Sequence, residues 1–190
     1  ALAGAVADAG VVTQLVLTNR YHPAVRAFLA EAAEFEAAGF AAFGARACVV
    51  HGGFLGGHFA TPWRLTHGAL LDLGPHALDL LVAALGPVES IRAAGDPRRW
   101  VMLTAVHAGG AVSQAALSGA VPLDPGMSTV ELYGPSGVLS VGAQPLDHAL
   151  SWPVLAAEFA AAVRTGRSGE LDVRRGLMLQ ELLAATAGTL

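Results

Sequence analysis

His67-Gly-Ala-Leu-Leu-Asp-Leu-Gly-Pro-His-Ala-Leu-Asp-Leu-Leu81 places one carboxylate, Asp72, four residues ahead of one imidazole, His76, inside a run with helical apolar spacing. Leu70, Leu71, Leu73, Ala77, Leu78, Leu80 and Leu81 fall on inward positions, and residues four apart share a helix face. An acid beside a histidine can move a proton to or from a hydroxyl. The same spacing also describes a plain surface pair on a core helix. The residues between the two weigh toward chemistry. Gly74 strips bulk from the turn beside the pair, and Pro75, which lacks a backbone donor, suits only an early helical turn, so His76 falls near a helix start. Small residues around a polar pair at a helix N-terminus suit a ligand lying against the backbone. Asp79, one turn further on, reads as a structural group, either on the capping side or in contact with a neighbouring arginine.

Outward from this stretch, helices alternate with a block of strands. A helix over 23–38 leads to a strand over 46–54. A glycine-rich loop carries the chain through Trp63-Arg64 into the central helix, which stops at Gly86-Pro87. Strands are expected near 88–94, 99–107, 111–119, 127–133 and 138–142, with a turn at Gly134-Pro-Ser-Gly137. Helices near 154–165 and 173–187 close the chain. Consecutive strands joined by tight turns predict a mostly antiparallel, open-faced sheet with helices on one side, an α+β class. Residues 100–123 carry no charge, as a membrane span would, but Gly109-Gly110 at their centre predicts a β-hairpin instead. Neither face of that hairpin is distinctly polar. One face faces the helices, and the other needs a second subunit to cover it.

The stretch from Gly68 resembles the signature helix of the glucose-fructose oxidoreductase, inositol dehydrogenase and rhizopine-catabolism family of nicotinamide-dependent oxidoreductases. The family pattern runs roughly Gly-Gly-x-Leu-x-Asp-x-Gly-x-His-x-x-Asp, and Gly68, Leu70, Asp72, Gly74, His76 and Asp79 fill its places. His67 departs from it at the first glycine. Thr18-Asn-Arg-Tyr-His-Pro23 resembles the family's Asn-Arg-x-x-Pro turn, and Trp63-Arg64 resembles the Trp-Arg pair before the signature helix. Glu158-Phe159 with Arg164-x-Gly-Arg167, then Asp172-Val-Arg-Arg-Gly-Leu177, resemble its last two helices. The resemblance implies NAD or NADP as cofactor and a sugar, cyclitol or related polyol as substrate. It makes His76 and Asp72 the catalytic pair and puts Trp63 and Arg64 beside the nicotinamide or the substrate. It also implies self-association through the open sheet face. Asn19, Arg20 and Tyr21 follow an expected strand at its C-terminal end, where open α/β sheets bind ligands, and are taken as substrate contacts together with Arg64; a turn or capping role fits them equally.

Members of that family open with a dinucleotide-binding domain whose Gly-x-Gly-x-x-Gly turn admits the pyrophosphate to a helix N-terminus. No such turn occurs in this sequence, and Gly52-Gly-Phe-Leu-Gly-Gly57 reads as a strand end and loop. Residues 1–17 read as a helix, a stop at Gly10 and a buried strand over 11–17, the closing helix-strand unit of a doubly wound sheet. The expectation is therefore that residues 1–20 are the terminal remnant of a dinucleotide-binding domain, residues 21–190 are a substrate-binding and oligomerisation domain, and about 100 to 150 residues precede Ala1. All 11 basic residues are arginine. The family's catalytic lysine therefore has no counterpart here, and arginine, always protonated, cannot replace it. The chain by itself is expected to be inactive.

A net charge of −4 without a basic cluster argues against nucleic acid. The single Cys48 lies in an apolar strand and cannot form an internal disulfide, which suits a reducing cytoplasm. No membrane segment is expected. His51, His58, His67 and His76 are spaced seven, nine and nine apart, which matches no compact metal motif, so no metal is assigned. His107 and His148 read as ordinary sheet and loop residues. Two other classes remain open at this point: a non-catalytic sugar-binding or oligomerisation module, and a metal-dependent hydrolase or isomerase built on Asp72 and His76.

Overall fold

The computed structural model describes residues 1–39, 41–143 and 145–190. Its helices are α1 (Leu2–Ala9), α2 (Pro23–Ala37), α3 (Pro62–Asp72), α4 (Gly74–Leu85), α5 (Ser151–Thr165) and α6 (Val173–Ala185). Its strands are β1 (Gly44–Val50), β2 (Val88–Asp96), β3 (Trp100–His107), β4 (Val112–Ser118), β5 (Met127–Gly134) and β6 (Gly137–Val141). They form one sheet in the order β2-β3-β4-β1-β5-β6. Every pairing is antiparallel except β1 with β4, so the expected α+β, mostly antiparallel architecture is what the chain adopts. The first strand lies between two later hairpins, an insertion that local sequence gives no sign of.

The period-two burial of β3 follows from its pleat. Val101, Leu103 and Ala105 point into the core, whereas Trp100, Thr104 and Val106 face outward. His107 ends that strand fully buried, its ring nitrogens 2.8 Å from the Gly86 carbonyl and the Ser113 hydroxyl, which ties the end of α4 to the β3-β4 hairpin. Helices cover the inner face, with α4 against β1 and α2 against β6. On the outer face, adjacent registers align Arg92, Thr104, Gln114, Arg46, Glu131 and Ser140 in a polar row across the sheet. Arg46 and Glu131 pair in it at 2.7 Å.

Three local expectations change. Residues 11–17 carry no strand ladder, although β-branched and apolar residues dominate them. Their polar groups turn instead to the segment before α6: the Thr13 amide donates to Ser168 Oγ, the Leu15 amide to the Leu171 carbonyl, and the Val173 amide to Thr13 Oγ1. Trp63 and Arg64 lie in the first turn of α3 rather than in a loop, because Thr61 caps the Arg64 amide and Pro62 opens the helix. The central helix is also two helices. Gly68 sits at φ 71° and breaks α3, and Leu73 joins α3 to α4. A side chain at Gly68 would collide with the Pro97 carbonyl, which instead accepts the Ala69 amide at 2.7 Å. The Pro62–Leu85 stretch is long and apolar enough to cross a membrane by length and composition, yet 56% of its most apolar window is buried within the fold.

Candidate active site

A cleft of about 1140 Å³ opens where the end of β1, the α3-α4 junction, the start of β5 and the start of α5 meet. Asp72 and His76 both line it, Asp72 from the last turn of α3 and His76 from the first turn of α4. The approach of the two helix ends, rather than one unbroken turn, brings the pair together. Burial pushes the His76 imidazole below its ordinary range, and this outweighs the upward pull of Asp72 and Asp79. The ring is thereby held in its neutral form near pH 7.

Asp72 is bound to arginine. The Arg64 Nε–H lies 3.0 Å from both carboxylate oxygens, and the guanidinium stands 5.3 Å over the Phe59 ring. Side-chain exposure is 29% for Arg64 and 18% for Asp72, so the ion pair forms part of the cleft wall rather than a solvated surface contact. Trp63 takes another direction: half exposed, it packs on His67 with centroids 5.0 Å apart and does not line the cleft.

Of the three residues expected after the first strand, only Asn19 reaches the cleft. Arg20 and Tyr21 are corrected to structural positions. Arg20 is 8% exposed, and its Nη1 donates to both oxygens of Asp79 at 3.2 Å while Nη2 reaches Glu170 at 2.8 Å. Arg175 completes this knot, its Nε donating to Asp79 Oδ1 at 2.7 Å and its Nη2 to the Asp79 carbonyl at 2.8 Å. Asp79, with no exposed surface, thus joins the 18–21 turn, α4 and α6, in the structural role expected of it. The Tyr21 hydroxyl donates to the Leu15 carbonyl, and burial pushes the phenol up to about 12, which suits a core residue and not a proton donor. Gly74 also faces inward: a Cβ there would lie 2.9 Å from Leu183 of α6, so the glycine admits a neighbouring helix, not a ligand.

The cleft gathers two histidines that spacing could not connect. His51 directly follows β1, and His148 opens a short 3-10 turn before α5; both line the cleft with His76. The His51 Nδ1 accepts the Gly53 amide at 2.9 Å, its ring stands edge-on to Phe54, and burial pushes it below the ordinary histidine range. The ring has room only because Gly53 and Gly126 flank it. A Cβ at Gly53 would lie 2.9 Å from the ring, and one at Gly126 2.7 Å from the His51 Cβ. The sequence places His51 inside an expected strand over 46–54, whereas the strand ends at Val50 and leaves His51 on the cleft lining. Among the described residues, no three His, Cys, Asp or Glu side chains are arranged to hold a metal ion.

A family model described as the GFO/IDH/MocA C-terminal domain matches residues 46–140. No curated protein matches the chain. Solved structures do. GenD2 from gentamicin A biosynthesis, in complex with NAD, superposes with a TM-score of 0.82 at 23% identity, over 99% of this chain and 64% of its own. Levoglucosan dehydrogenase in complex with NADH and levoglucosan gives 0.79 at 17% identity, over 98% and 66%. A myo-inositol dehydrogenase from Corynebacterium glutamicum gives 0.76 at 15% identity, over 93% and 61%. The chain spans slightly less than two thirds of the length of each, and at these identities the likeness speaks for the fold.

Proposed function

The chain belongs to the GFO/IDH/MocA family, and on that premise we propose that it is the substrate half of a nicotinamide-dependent oxidoreductase, acting on a secondary alcohol of a sugar, cyclitol or related polyol. What carries the proposal is the lining of one cleft by Asp72 and a His76 whose proton affinity burial has lowered. NAD or NADP, when bound, supplies the hydride acceptor or donor. The residues here fit only the reacting end of such a cofactor. The cleft has an apolar wall that includes Phe54, Phe59 and Met127, against which a flat ring can lie, whereas the 52–57 glycines lead only into one 3-10 turn.

In the alcohol-oxidising direction, an imidazole nitrogen of His76 accepts the hydroxyl proton and returns it to solvent through the open side of the cleft. Asp72, fixed by Arg64, accepts a hydrogen bond from a neighbouring hydroxyl of the same polyol and so orients the reacting alcohol toward His76. Asn19 contacts the substrate from the cleft lining, and Arg64 borders the nicotinamide end. Residues 1–20 then close a dinucleotide-binding domain, residues 21–190 hold substrate, and the outer face of the sheet meets a second copy in a cytoplasmic homo-oligomer. In the full-length protein supplied with NAD or NADP, His76→Ala should lower kcat on its substrate at least about a hundredfold, within the range that general acid-base catalysis contributes. Near-normal turnover would remove His76 from this role.

A further inference from the structure

One of the histidines that line the cleft has its tautomer fixed by the backbone. The Gly53 amide donates to His51 Nδ1 at 2.9 Å. A ring nitrogen that accepts a hydrogen bond carries no proton, so a neutral His51 holds its proton on Nε2. Burial, the largest influence on the ring, favours that neutral state. His51 is half-buried, yet its Nε2 is bonded to no described residue and is not sealed from solvent. That N–H therefore opens onto the cleft that the ring lines. The charges acting on the ring are those of Asp72 and Arg64, which sets the N–H at the end of the cleft where Asp72 and His76 meet. His22 makes the opposite use of the same bond. Its Nδ1 takes the Ala24 amide at 3.2 Å, but its Nε2 is closed inside the fold.

We propose that His51 is a substrate-positioning residue that donates its Nε2–H to an oxygen of the bound polyol and, unlike His76, takes no proton during turnover. A base needs a nitrogen free to accept, and His51 has none: one nitrogen holds the proton and the other holds the Gly53 amide. The contact is donor-only. It receives a hydroxyl, ether or carbonyl oxygen and refuses an ammonium group or a bare methylene in the same place. The donor is also held still before substrate arrives. The His51 amide donates to the Ser118 carbonyl at 3.0 Å, its carbonyl accepts the Val121 amide at 3.2 Å, and the Phe54 ring meets it edge-on with centroids 5.7 Å apart. Little freedom is left to lose on binding. The assignment rests on the oxidoreductase proposal for the nature of the bound molecule, and it adds a second histidine with the reverse hydrogen-bonding role.

The test uses the full-length protein with NAD or NADP. Nitrogen NMR of the His51 ring at neutral pH should show the proton on Nε2. The probe for turnover is whichever of myo-inositol, glucose and levoglucosan is oxidised fastest. His51→Asn keeps an acceptor for the Gly53 amide but loses the distal donor. It should raise KM at least about tenfold, the worth of one hydrogen bond, with a smaller fall in kcat. His51→Gln, which restores an N–H near the Nε2 position, should recover part of that loss. A proton on Nδ1, an unchanged KM in His51→Asn, or an equal rise in both variants would overturn the His51 assignment and leave the oxidoreductase proposal standing. If none of the polyols is oxidised, their effect on the His51 Nε2–H resonance decides. A shift keeps the contact and removes the redox reading, whereas silence overturns both.

Discussion

Asp72 and Asp79 lie seven residues apart at the end of α3 and within α4, both are held by arginine, and they occupy opposite surroundings. Asp79 has no exposed surface and is gripped by Arg20 and Arg175. Asp72 keeps 18% of its side chain exposed, has one arginine partner and lines a cleft. The same chemical pair therefore serves as a clamp in one place and stands ready for a ligand in the other. Burial and the number of partners set the difference, not residue type.

The comparison breaks most visibly at Asp79. Asp79→Ala leaves two arginines facing a dry interior and should cost about 3 to 5 kcal/mol, read as a large fall in the denaturant midpoint. A loss below about 1 kcal/mol would show that the knot is not a clamp. Gly68→Ala should cost about 2 kcal/mol or more, because its backbone region is closed to other residues and Pro97 occupies the space. That substitution also disturbs the angle at which Arg64 meets Asp72, so turnover should fall with it.

The histidines give a pH test. His51 and His76 are both held by burial below the ordinary 6.5, so the unfolded rings take up protons that the folded rings refuse. Stability should be full above about pH 6.5 and fall as pH drops from there toward the folded values, by at most about 1.4 kcal/mol per pH unit for each ring. Both rings keep some solvent contact, so the observed slope should be gentler. A thermal midpoint that stays flat between pH 7.5 and 5.5 would contradict the burial of both. The smallest stability effect belongs to Asp72→Asn, within about 1 kcal/mol because the pair is partly solvated. Turnover should nevertheless fall at least about tenfold, and unchanged turnover would reduce Asp72 to a second, weaker clamp.

The contrast between the two acids was half legible in the sequence. Pro75 and the apolar run gave the start of α4, the Asp72-to-His76 spacing put on one helix a pair that the structure divides between two, and Asp79 was read as a capping residue or an arginine contact. What sequence could not supply was direction. Arg20 and Tyr21 were adjacent to Asn19 on paper, but a single 3-10 turn sends Asn19 to the cleft and the other two inward. Residues 11–17 have the composition of a strand, yet a strand needs a neighbour, and theirs is a loop. The α3 helix could have been read from Thr61-Pro62, a capping signal hidden by the glycines before it. His51 and His148 reach His76 only through tertiary contacts between elements far apart in the chain.

The most direct measurement is a crystal structure of the full-length protein with nicotinamide cofactor and a turned-over alcohol. The account predicts the reacting hydroxyl oxygen about 2.6 to 3.2 Å from a His76 nitrogen, with Asp72 bonded to a neighbouring hydroxyl of the same substrate and Asp79 still enclosed by Arg20 and Arg175. A hydroxyl seated elsewhere, with His76 and Asp72 touching neither substrate nor cofactor, would contradict it.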